Sequence, residues 1–143
     1  MSEPTLGPVR VLPDYTAEQL VDRLGIRILE YSAERVVGRM PVDGNRQPVG
    51  LLHGGASAAF AETLGSLAAF VHVGTDGTAV GQELSCTHHR AVRSGHLTGV
   101  STPLHLGRNS ATYEIVISDD AGRRVCTARL SCALHLPRRG RRR

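Results

Sequence analysis

Tryptophan is absent from this 143-residue chain, and phenylalanine and tyrosine together supply only 3% of it. A core must therefore be built from Leu, Val, Ile and Ala, which a hydrophobic share of 41% permits in one domain. Cysteine is also scarce. Cys86, Cys126 and Cys132 have no paired spacing. Cys126 and Cys132, six apart, would share one face of a strand, and all three read as reduced, small core residues. Cys86 and His88 are too few to form a metal site, so no metal is expected. The N-terminus has no charged segment followed by an apolar run, and a cytoplasmic location is expected. An excess of positive charge in the body of the chain is missing too. The net charge of +4 rests on five arginines within residues 138–143, and the remainder carries 12 arginines against 13 acids, a net of −1. With no basic body and no interleaved aromatics, neither nucleic acid nor a membrane is expected as a partner. The tail reads as a solvated terminus.

What is present is concentrated in residues 50–73. Gly54 and Gly55 open an apolar run that reaches Val73 and is interrupted by Glu62 and His72. The 3.6-residue period predicts a helix there, roughly 30 Å long at 1.5 Å per residue. It has no polar face, so it reads as a core helix. The embedded acid and the share of Ala, Gly and Ser argue against a membrane span. On a helical wheel Phe60, Leu64, Leu67 and Val71 make a bulky side, and Ala58, Ala59, Gly65, Ser66 and Ala69 make a small side around Glu62. A lone carboxylate in such a helix is costly unless it is paired, hydrogen-bonded or used. Small neighbours leave room beside it for a substrate or for the backbone of a second helix. Gly54 and Gly55 let a ligand approach the backbone closely. The first N–H groups of a helix lack internal partners and sit at its positive end, which suits a carbonyl oxygen gaining negative charge. Such a donor and Glu62, about two turns further on, facing one pocket would suit acyl transfer or hydrolysis. A tight entry turn, with Glu62 bonded to Ser66 or to backbone, accounts for the same residues without any chemistry.

Three prolines mark residues 1–13 as an arm. Thr16 to Gln19 reads as a capping box, and Leu20, Val21 and Leu24 as the stripe of a short helix that Gly25 ends. Strands are expected over 26–32 and 35–42, with a turn at 43–46. After the long helix, closed by 74–77, alternation predicts strands over 79–92, 96–106, 109–118 and 123–136. The result is an α+β layout, an antiparallel sheet wrapped around one long central helix, in a single domain over 14–137 with a basic tail over 138–143. An open sheet edge is a liability for one subunit, so a homodimer is expected.

Gln47, His53, Gly54, Gly55, Glu62 and Ser66, followed by Val80, Gly81, His88, Arg90 and the run from Pro103 to Gly107, resemble the hotdog-fold acyl-CoA thioesterases that use a glutamate on the central helix. That branch includes the glutamate-type 4-hydroxybenzoyl-CoA thioesterases, the PaaI-like enzymes, and the small thioesterases of the menaquinone and enterobactin pathways. The resemblance spans residues 25–136, and its His-Gly-Gly text with a later Glu is specific in combination. It implies hydrolysis of a small acyl- or aryl-CoA thioester to acid and CoA, with no cofactor. It also implies homodimers paired into tetramers, with sites between subunits. Glu62 would act as nucleophile or general base, and the Gly55 amide would polarise the carbonyl. His53 would help hold the carbonyl or the attacking water. Gln47 would orient the acyl group or the water, and Ser66 the carboxylate or the acyl ring. Gly81, His88, His89 and Arg90, together with His105, Leu106, Gly107, Arg108, Asn109 and Ser110, would bind the substrate along CoA. Arg93 reads as part of a solvated rim. The chain departs from the pathway enzymes at Ser85, Cys86 and Thr87, where those tend to carry asparagines, which changes the hydrogen bonding beside CoA. A hotdog hydratase or dehydratase would carry an Asp and His pair instead. A non-catalytic acyl-CoA binder would keep the small-faced helix but release no thiol.

Overall fold

The computed structural model describes residues 19–136. The arm over 1–13, most of the capping box and the basic tail lie outside the described residues. In chain order the elements are α1 (Leu20–Arg23), β1 (Arg27–Tyr31), β2 (Val36–Pro41), α2 (Gly54–Val73), β3 (Thr78–His88), β4 (His96–Leu106), β5 (Ser110–Ser118) and β6 (Arg124–His135). The six strands form one antiparallel sheet in the order β1-β2-β4-β5-β6-β3. Gly25 takes φ 73° just after α1, a left-handed conformation that a glycine supplies at a helix end.

Alternation decides which side of each strand meets α2. On β5 the buried set is Ala111, Tyr113, Ile115 and Ile117, and on β6 it includes Cys126, Ala128, Leu130, Cys132 and Leu134. Phe60 and Leu64 of α2 press onto β2 and β4 at Gly38 and Gly99, which are paired with each other. A Cβ on Gly38 or Gly99 would lie 2.6 or 2.5 Å from a methyl carbon of Leu64. The two glycines thus let the helix sit close to the sheet. By length and composition α2 could cross a membrane. Here its bulky side is the centre of the core instead, with Phe60 and Leu64 wholly buried.

Two expectations change. The strand over 79–92 stops at His88, opposite Cys126 of β6, where the regular ladder ends. The next two amides, those of His89 and Arg90, both turn to the single carbonyl of Val125, at 2.7 and 3.3 Å. The small side of α2 is also narrower than its wheel implies. Gly65 and Ala69 are buried, with Gly65 packed against Leu130 and Ile115. Ala58, Ala59, Glu62, Thr63 and Ser66 remain half-buried on the outward side, and Phe70 is exposed.

Candidate active site

The loop entering α2 is tied down before it reaches the helix. Asn45, 7% exposed, donates its side-chain amide to the carbonyls of Leu24 and Pro41, both at 2.8 Å. Its own carbonyl accepts the N–H of His53 at 2.8 Å, and Arg46 bridges to Leu52. Gln47, inside this closed loop, accepts the Val49 N–H on its side-chain oxygen. Its NH2 group has no partner among the described residues and stays available as a donor.

His53 is the N-cap of α2, and its Nδ1 accepts the Gly55 N–H at 2.8 Å. The amide expected to face a carbonyl is therefore held by the imidazole in this conformation. An accepting Nδ1 places the ring proton on Nε2. A second imidazole reaches the same mouth, since a Cβ on Gly54 would lie 3.0 Å from His88 Nε2. The run His88, His89, Arg90 does not act as one patch. His89 pairs its Nε2 with Thr127 Oγ1 at 2.9 Å, and Arg90 is exposed.

Glu62 stands mid-helix on the outward side, half-buried. Its carboxylate has no hydrogen bond or ion pair among the described residues, and the expected bond to Ser66 is not formed. It rests on Gly81 of β3, where any Cβ would collide with Oε1. Cys132, paired with Gly81, lies beneath. Its thiol is pushed up to about 11 by burial and then by the Glu62 charge. Burial likewise pushes Cys126 up to about 12 and raises Cys86. Thiols held this way are poor nucleophiles at neutral pH. One turn beyond it, Ser66 borders an apolar cavity of about 380 Å³ between α1, β1, α2 and β3, with Leu20, Ile28, Leu67, Phe70 and Ala79 in its walls.

The remaining candidates gather at the opposite end of α2. His72 Nε2 donates to the Gly107 carbonyl at 2.8 Å, and the His105 ring lies against Gly107. Gly107 N bonds Ser110 O, and Asn109 O accepts from Leu134 N, both at 2.9 Å. Leu106, Arg108, Asn109 and Ser110 are exposed. Among the described residues no three His, Cys, Asp or Glu side chains converge as metal ligands.

The profile of the thioesterase superfamily matches residues 49–126. The chain belongs to the thioesterase superfamily. A proofreading thioesterase EntH of Cronobacter turicensis is 53% identical over 116 residues, covering 80% of this chain and 85% of that protein. The Klebsiella pneumoniae proofreading thioesterase EntH is 51% identical over the same shares. Among solved structures, a Haemophilus influenzae thioesterase superposes with a TM-score of 0.81 at 36% identity over 90% of both chains. A mutant thioesterase of Pseudomonas aeruginosa gives 0.81 at 40% identity, over 85% of this chain and 89% of that one. The fold is the hotdog fold, and the protein is a thioester hydrolase.

Two residues of this thioesterase escaped the reading of its sequence as site-builders. Asn45 holds the loop that carries Gln47 and His53, and its only signal was a place after Asp43 and Gly44 in a turn. His72, which fastens the 107–110 loop, stood out as a polar break in an apolar run.

Proposed function

We propose that this thioesterase hydrolyses the acyl-CoA thioester of a modest acyl or aryl group, in a site completed by a second copy of the chain. The observation that carries the proposal is the uncommitted carboxylate of Glu62 on the outward side of α2. A half-buried acid with no partner among the described residues is poised to act on a ligand that reaches this side of α2. In hydrolysis Glu62 takes a proton from water as the water oxygen bonds to the carbonyl carbon. The C–S bond then breaks and CoA leaves as its thiol. Attack by Glu62 itself, through a mixed anhydride, uses the same geometry. Labelled oxygen from water appearing in the Glu62 side chain after one turnover would mark that route.

Distance supports a site shared by two copies. Gly55 and Glu62 are seven residues apart on one helix, about 10 Å of rise, too far for one thioester carbonyl to meet both. His88 and the Gly107 loop, at opposite ends of α2, are separated by roughly 27 Å on the same arithmetic. A second helix running the other way brings one chain's mouth to the other's Glu62. The open edge of β3 supports such pairing, and a dimer of dimers is the assembly that the family resemblance implies. The carbonyl then takes the Gly55 N–H in place of His53 Nδ1. The cavity beside Ser66 is at the small end of ligand pockets, which favours a compact acyl group over a long chain. The name of the enterobacterial relatives supports a part in discarding wrongly formed thioesters. The test is thiol release from aryl, short-chain and long-chain acyl-CoA esters. Turnover of the compact esters that disappears in Glu62→Ala is expected, and near-normal turnover in that variant rejects the assignment.

A further inference from the structure

We infer that Gly81 is a positioning residue for Glu62, and that its missing side chain is the seat on which the carboxylate lies. Gly81 does not have a positive φ, so nothing in its backbone calls for glycine. What it lacks is room. A Cβ there would collide with Glu62 Oε1 and come within 3.3 Å of Cδ and 3.4 Å of Leu130 Cδ1. Immediately after it the β3–β6 ladder slips, with Gly81 opposite Cys132 and Glu83 opposite Ser131, so that Gln82 is an extra residue. A bulge of this kind bends its strand and re-aims what stands beside it.

The physical reason for such a seat follows from the lack of any bond to the carboxylate. A hydrogen-bonded acid is held by its donors. Glu62 has none among the described residues, so its position is set by shape. Helix α2 fixes its Cα, and the floor formed by Gly81, Cys132 and Leu130 fixes how deep its oxygens lie. Raising that floor by one methyl group lifts the carboxylate toward the substrate side or turns it away. A displacement of about 1 Å in a reacting group is enough for a 10²-fold loss.

The catalytic meaning of this seat rests on the hydrolase reading of Glu62; the contact itself does not. The experiment is a double-mutant cycle on the full chain with two readouts. Gly81→Ala is expected to lower kcat by at least about tenfold with the KM for acyl-CoA within about twofold, and to lower the thermal midpoint. In a Glu62→Ala background, which removes the carboxylate, Gly81→Ala is expected to leave the midpoint unchanged. In a Glu62→Asp background, where the acid is one methylene shorter, it is expected to cost little further kcat. Should Gly81→Ala alone fail to fold, the inference requires that the Glu62→Ala double variant folds. Wild-type kcat in Gly81→Ala, a rise in KM alone, or the same loss in every background would overturn it. Loss of midpoint coupling refutes the seat, whereas full turnover in Glu62→Ala with that coupling intact refutes the hydrolase reading instead.

Discussion

The two sides of α2 are built to different standards. Toward the sheet, Phe60, Leu64 and Ala68 are wholly buried, and two sheet glycines have been cleared to receive Phe60 and Leu64. Toward the outside, Ala58, Ala59, Glu62, Thr63 and Ser66 are half-covered and Phe70 is exposed. The first side is finished by its own chain. The second carries Glu62, the one acid of the helix, which has no hydrogen bond or ion pair among the described residues, and it is the side on which the proposed two-copy site would form. A single helix thus separates what folds the protein from what it acts with, and substitutions on the two sides should fail in different ways.

The largest effect expected is on the outward side. Glu62→Gln should lower kcat by about 10²- to 10⁴-fold, the usual range for a general acid–base group, while melting and acyl-CoA binding stay close to wild type. An equal loss of stability would erase the distinction between the sides. Leu64→Ala on the inward side should do the reverse, with urea unfolding showing about 2–5 kcal/mol of lost stability and turnover per folded molecule retained. Asn45→Ala sharpens the contrast by touching both functions. It frees the carbonyls of Leu24 and Pro41 and loosens the loop under His53, so a loss of about 1–3 kcal/mol should come with a fall in kcat. The smallest effect belongs to Asp119, in the β5–β6 turn and remote from both sides. Its carboxyl is held below the usual range chiefly by the Arg123 N–H, with the Arg123 guanidinium adding to this against the opposing effect of burial. A lowered value means that its stabilisation is present above the ordinary carboxylate range and fades as pH falls through the lowered one. The gap in melting temperature between wild type and Asp119→Asn should therefore be widest near neutrality and close in acid, with turnover at neutral pH unaffected.

Much of the fold could be read in the chain because its signals are local. Gly54 and Gly74 bracket α2, and alternation from Cys126 to Leu134 identified the inward side of β6. The end of β3 could not be read, since residues 89–92 keep a plausible strand pattern, whereas in the fold the amides of His89 and Arg90 share one carbonyl of β6 and the Val92 carbonyl accepts from Leu52 instead. The site was legible as a set of residue types but not as an arrangement. Gly55 and Glu62 belong to one stretch of text, yet the rise of the helix holds them apart. The Gly55 amide reads as free until the His53 ring is seen to cap it. Gly81 stood out only through resemblance, because its reason is a carboxylate 19 positions earlier in the chain.

Subunit mixing tests the two-copy site most directly. Glu62→Ala removes the acid, and Gly55→Pro removes the mouth N–H, which lies in the first turn of α2 and takes no part in its internal ladder; both variants must be shown to fold and dimerise. Each variant alone is expected to be inactive. Unfolded together and refolded as a mixture, they should recover about a quarter of wild-type turnover, the share expected when half of randomly paired dimers contain one intact site of two. A mixture that forms mixed dimers yet stays as inactive as its parents would contradict the account.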